Sequence, residues 1–322
     1  MKLKLFLMAA AYLLSGPHAL AQAQAYPNKP IKLLVGYSPA GAADFIARIV
    51  GDAMSKQLGQ PILIDNKAGA GSTLASTMLS QSPADGYTLG LATGTLYGID
   101  QYLYKVRYTP ASFTPISRFT ISPLILAVNK NIGVGSMAEF VAYSKANPGK
   151  LNYSSSGMGG SPHSAGLIFE KAVNGKMTHI PYKGGAPALQ AVAAGDVQFS
   201  FGTASSVLPL GKAGTVKMLG VSTAQRSAVA PDLPTLSETG LPGFDFNFWF
   251  GLFGPANLPK DVQEKLFAAA TQVLNDPQIR AKLLATGNEA APSRSPAEFN
   301  EWATINGKGI LDRVEQAGVK IE

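Results

Sequence analysis

Along this chain, short apolar runs of strand character alternate with stretches of helical periodicity, and most of the apolar runs end in glycine, serine or threonine. "IKLLVG" (31–36) is followed by a helical pattern from about Asp44 to Leu58, then "PILIDN", a small-residue helix after Gly71, and "YTLGLAT". Strands separated by whole helices cannot be joined as hairpins, so they pair in parallel through crossover helices, which sets an α/β class. In the first helix Ile46, Ile49, Val50, Ala53 and Met54 recur at i, i+3, i+4, i+7 and i+8, one apolar stripe, and Gly59 closes it.

A second block repeats the alternation. "SPLILAVN" reads as a buried strand, and Ser136 with Glu139 forms a capping box for a helix running towards Asn147. "KLNYSSSG", "THIPYKGG", "VQFSFGTA" and "VKMLGVST" are strand-to-loop transitions. After Pro231 the chain is loop-rich, and "FWFGLFGP" reads as a strand. Two helices close it, one after Pro259 with Val262, Leu266 and Val273 on one face, the other opening at Ser295-Pro296-Ala297-Glu298. Two lobes are expected, each a mostly parallel sheet flanked by helices: 26–125 plus 250–322, and 126–249. The chain is expected to cross between them near Ile125 to Val128 and near Asn247 to Phe250.

Residues 1–25 have Lys2 and Lys4, an apolar stretch interrupted by Gly16 and Pro17, and Ala-x-Ala steps, the pattern of a secretory signal with a mature start near Tyr26. No other segment has the ~20 apolar residues of a membrane span. The chain has no cysteine, which excludes disulfides and a lipid-bearing Cys after the signal, so an unanchored periplasmic protein is expected. The net charge of +7 is scattered among Gly and Ala rather than clustered, unlike a nucleic-acid-binding surface.

Catalytic patterns are missing: no Gly-x-Ser-x-Gly, no His-Glu-x-x-His, no phosphate-binding loop with Lys, and no cofactor fingerprint around Gly69 and Gly71. His163 and His179 are too few for a metal site, and His179 reads as a packed structural residue. A Ser161/His163 hydrolase pair would have Pro162 between its members and no third partner; ester turnover lost in Ser161→Ala would be its mark. Ser154 to Gly166 reads better as a Gly/Ser loop that offers N–H groups and a helix N-terminus, near Pro162, to an anion. The loop from Ser38 to Ala43 repeats that arrangement, as does Tyr182-Lys183-Gly184-Gly185 before a helix near Ala186. Asp44 would repel an anion, and is either a first-turn cap or a group that orients a bridging water. Lys183 either complements a ligand's charge or faces solvent. Ligands of open α/β sheets lie beyond the strands' carboxyl ends, which adds Thr93, Gly94 and Thr203 as candidates.

These segments resemble the tripartite tricarboxylate transporter substrate-binding proteins, also called Bug extracytoplasmic solute receptors. "YPNKPIKLLVGYSPAGAAD", "GQPILIDNKAGAGS", "SPADGYTL", "NYSSSGMGGSPHSAG", "HIPYKGGAPAL", "LPTLSETGLPGF" and "WFGLFGPANLP" carry the resemblance, in order, over 26–322. It implies a type II-like, two-lobed periplasmic binding protein without cofactor, a monomer, which closes around a small organic acid and delivers it to an inner-membrane permease. It implicates Tyr37, Ser38, Ala40, Gly41, Ala43 and Asp44 in the first lobe. In the second it implicates Ser156, Gly159, Gly160, Ser161 and His163, joined by Lys183 and Gly184. The sequence departs from the family at Ala40, where Gly is usual, at Ala43 and Gly160, where Thr is frequent, and at Gly202, within a common Phe-Asp-Asn. Lost polar side chains point to a roomier or less polar ligand, an aromatic or longer-chain acid. A sensor of the same fold that signals to a membrane partner is the alternative, which neighbouring genes would distinguish.

Overall fold

The computed structural model describes residues 26–316, so the expected signal segment lies outside the described residues. The first block is β1 (Ile31–Val35), α1 (Ala42–Leu58), β2 (Ile62–Asn66), α2 (Thr73–Ser80) and β3 (Thr88–Ala92), followed by α3 (Ile99–Leu103). β1 pairs in parallel with both β2 and β3, the outcome of the crossover logic. Ile46, Val50 and Met54 of the α1 stripe are buried against this sheet, and Gly59 ends the helix in the left-handed conformation that glycine adopts without strain.

β4 (Phe113–Asn129) is the element that joins the halves. Its first part, Phe113 to Pro123, pairs with β9 (Asn247–Pro255), which in turn pairs with β3. From Leu124 to Asn129 its neighbours are β7 (Phe199–Thr203) and β8 (Val216–Val221). The change of partner falls at Pro123–Leu124, just before the expected Ile125. β9 lies wholly in the first sheet, so the return comes ahead of Asn247. Only the apolar "SPLILAVN" half of β4 is foreseen by its sequence. The first half contains Pro115, polar positions and two register shifts, at Pro115/Ser117 and Arg118/Thr120, which break strict alternation.

The second block runs α4 (Met137–Ala146), β5 (Leu151–Ser155), α5 (Ser161–Ala172), β6 (Met177–Pro181), α6 (Gly185–Ala194), β7 and α7 (Ala204–Lys212). β5 pairs in parallel with β6 and β7. The parallel strands are thus those of the βα units, and the antiparallel members are the strands that pair with β4 or cross between the sheets. At the head of α4, Ser136 Oγ accepts from Glu139 N–H at 3.2 Å, while the Glu139 carboxylate takes Gly135 N–H, one residue earlier than a strict capping box.

After α8 (Leu236–Thr239) and β9, three helices close the described chain rather than the expected two: α9 (Lys260–Asn275), α10 (Pro277–Ala285) and α11 (Pro296–Gln316), with the short β10 (Glu289–Ala290) on β4. The extra break follows from Pro277. It pushes Asp276 to extended backbone (ψ 121°), and Asp276 then caps the next helix by accepting from Gln278 N–H at 2.7 Å. No helix among the described residues is long and apolar enough to cross a membrane.

Candidate functional site

The carboxyl ends of β1, β6 and β7 bring three helix starts to one cleft between the lobes, and the start of α5 adds Pro162 to its wall. The N-cap residues of α1, α5, α6 and α7 are Gly41, Gly160, Gly184 and Thr203, and no side-chain hydrogen bond caps any of the four. Ser136, Thr235, Asp276 and Ser295 do cap α4, α8, α10 and α11, away from the cleft. Uncapped N–H groups at the first turn carry partial positive charge and seek an acceptor.

Of the expected residues, Tyr37, Ser38, Gly41, Ala43, Ser156, Gly184 and Thr203 line this cleft, which leaves about 50 Å³ to the centres of water molecules. Gly36 lets the loop after β1 pass Ser72, whose Cα would lie 2.9 Å from a Cβ at position 36. Tyr37 packs its ring at right angles to Phe250, 6.0 Å between centroids. Burial pushes its hydroxyl pKa up, against hydrogen bonds with Thr93 and Ser72. Thr93 thus acts behind Tyr37 rather than at the cleft, and Gly94 packs towards Trp249.

Ser38 Oγ donates to Lys183 O at 2.5 Å, a direct bond between the lobes. Lys183 lines a neighbouring cavity of about 270 Å³, with Tyr37, Ser156 and Gly184 common to both. There the loop of lobe 1 holds four successive residues at positive φ, Gly69 (145°), Ala70 (45°), Gly71 (63°) and Ser72 (85°). Across it the Tyr104 hydroxyl donates to Met158 O of the second lobe.

Asp44 does not line the cleft. The residue is 4% exposed, and its carboxylate accepts from Arg48 Nε and Nη2 at 2.9 Å each, from Ala40 N–H at 3.1 Å and from Asn66 Nδ2 at 3.1 Å. Burial would raise its pKa, but the bonds from Arg48, Ala40 and Asn66 outweigh it and hold the carboxyl below its ordinary value. Asp44 therefore braces the loop, and Ala40 acts through that bond at φ 62° rather than on the cleft wall.

His163 and Ser161 are buried in the second lobe and do not line the cleft, although Pro162 between them does. The His163 ring stacks on His179 at 3.8 Å, with Tyr153 beyond. His163 Nδ1 accepts Gly159 N–H at 2.9 Å, and Ser155 Oγ lies 2.7 Å from His179 Nε2 and donates to Gly157 O at 2.8 Å. Burial lowers the His163 pKa to about 3, helped by His179, and burial lowers His179 to about 4. Two neutral histidines thus hold Gly157 and Gly159 of the loop in place, with Gly160 behind them as the α5 cap. No hydrogen bond joins Ser161 to His163 among the described residues, and no three potential metal ligands come together there.

The sequence reading missed the apolar back wall: Phe201 from β7 and Phe248 and Phe250 from β9. The signal was present, since Phe248 and Phe250 lie two apart and face one side of a strand. Gly202 shows its backbone to the cleft, but a Cβ there would lie 2.6 Å from Val207 Cγ2 and 2.9 Å from Leu189 Cδ1. The missing side chain at 202 is therefore filled space beneath α6 and α7, and adds no room for a ligand.

Residues 46–300 match the model of the tripartite tricarboxylate transporter family receptor. A protein of the tcbD-tcbE intergenic region of Pseudomonas sp. (strain P51) is 33% identical over 83% of this chain and 80% of its own length. Among solved structures, an R. palustris protein with adipate superposes with TM-score 0.88 at 28% identity, over 92% of this chain and all of the other. MatC from Rhodopseudomonas palustris with bound malate gives 0.84 at 31% identity, over 90% of this chain and all of the other. Periplasmic binding protein BugD gives 0.85 at 27%, over 92% and 100%. By this match and these relatives, the chain belongs to the tripartite tricarboxylate transporter receptor family, a family of solute receptors.

Proposed function

We propose that this protein captures a small organic acid, a mono- or dicarboxylate, between its lobes and hands it to a tripartite tricarboxylate-type permease in the inner membrane. The observation that carries the reading is the convergence of three uncapped helix N-termini, those of α1, α6 and α7, from both lobes, on one cleft. A carboxylate seated there accepts several backbone N–H groups at once, and only the closed arrangement supplies donors from both sides. The acid consequently binds the closed state more tightly and shifts the population towards it. The adipate and malate held by its structural relatives support a carboxylate as the guest. Residues 1–25 would direct export to the periplasm, without a lipid anchor, and the lobes would move about the two crossings, at Pro123–Leu124 and just ahead of Asn247. The receptor would act as a monomer.

Calorimetry on protein unfolded and refolded to strip bound solute tests this with a panel of carboxylic acids and their amides. At least one acid should bind at micromolar affinity or better, about −8 kcal/mol, and its amide should not. Folded protein that binds no acid would overturn the reading.

A further inference from the structure

We propose that the acid taken by this cleft carries one carboxylate on a compact apolar body, an aryl- or cycloalkyl-substituted monocarboxylate, and no second charged group. The inference rests on the carboxylate reading of the cleft and deepens it.

No side chain lining the cleft carries a charge. Arg48 is paired with Asp44, and Lys183 lines the neighbouring cavity rather than this one. The donors for an anion are gathered at one place. Ser38 Oγ bonds Lys183 O, a Cβ on Gly184 would sit 3.4 Å from Ser38 Oγ, and one on Gly185 would sit 3.1 Å from Ser206 Oγ. The starts of α1, α6 and α7 therefore meet at a single pole.

Elsewhere the lining offers a second carboxylate a single unengaged hydroxyl, that of Ser156, and no charge. Ser38 and Ser200 spend their protons on Lys183 O and Ser154 O, while Thr203 and Ser206 share one bond at the start of α7, within the pole itself. The rest of the wall is Tyr37, Phe201, Phe248 and Phe250, with prolines, alanines and glycines. A charged group pressed against that wall loses its water and gains no partner, whereas a ring or branched alkyl body gains by burial. Phe248 and Phe250 meet edge to face at 4.7 Å, a geometry to which a third aromatic ring can add.

The test is calorimetry on stripped, full-length mature protein with phenylacetate, cyclohexanecarboxylate, their primary amides, adipate and malate. One of the two monoacids should bind at least tenfold more tightly than adipate and malate, and its amide should not bind. Tighter binding of adipate or malate would overturn the proposal while leaving the carboxylate-receptor reading intact. If no acid binds the folded protein, both fall together. Ala186→Lys, at an exposed lining position in the first turn of α6, supplies a cation and should narrow the monoacid-to-diacid ratio at least threefold; an unchanged ratio counts against the proposal.

Discussion

Ala40 holds a left-handed backbone, φ 62°, at the tip of the loop that leads into α1. A Cβ in that region costs about 1–2 kcal/mol, and a glycine would remove the strain while giving the unfolded chain about 0.4–1 kcal/mol of extra freedom. Ala40→Gly should thus leave the protein equally stable or up to about 1 kcal/mol more stable in urea titrations; a clear loss would show that the strain is not there.

The stacked histidines set a second expectation at this scale. Unfolded histidine titrates near 6.5, whereas the folded pair holds out to about 3 and about 4, so below 6.5 the unfolded chain takes up protons that the native state refuses. Asp100 opposes this: burial raises its carboxyl to about 6 from an ordinary 3.8, despite hydrogen bonds from Tyr108 and Thr95, so the native state gains as pH falls from 6 towards 4. Two histidines against one aspartate leave a net loss on the order of 2 kcal/mol between pH 7 and pH 5. Urea midpoints at the two pH values check it, and a midpoint that held steady would contradict it. Roles such as these were only half legible in the sequence. Arg48 at i+4 from Asp44 was visible, but Asn66, which completes the carboxylate's shell, is 22 residues away. His163 looked like a loop residue because its partner, His179, arrives only through the pairing of β5 with β6.

At the level of elements, periodicity predicted α1, the βα units and the capped starts of α4 and α11 because those signals are local. The first half of β4 escaped, since its pairing with β9 tolerates Pro115 and two register shifts that no local pattern encodes. Gly202 escaped for a related reason. It looked like a lost polar group, yet α6 and α7 close over it through Leu189 and Val207. Gly202→Asp should consequently cost more than about 3 kcal/mol, by overpacking and by an unpaired buried charge, with a matching fall in thermal midpoint. A variant as stable as the parent would show that the helices give way.

For the molecule as a whole, the bonds Ser38 to Lys183 and Tyr104 to Met158 join the lobes and would break if the lobes parted. Removing one hydrogen bond forfeits about 0.5–1.5 kcal/mol. Tyr104→Phe should therefore weaken acid binding roughly 2- to 10-fold, and faster release in stopped-flow measurements should account for it. Unchanged affinity would mean that the contact does not help to hold the lobes shut. The shared β4 has one further consequence, in time rather than in space. β9 lies between β3 and β4 in the first sheet, so the strand that completes its middle is made only at residues 247–255, after every strand of the second sheet. A chain still being synthesised would hold one finished sheet and one divided into two unjoined parts, and non-local pairing of that kind is slow. Pulse-labelled hydrogen exchange during refolding should find β5 and β7 protected before β3, so that the half of the molecule nearest the N-terminus is the last to become itself.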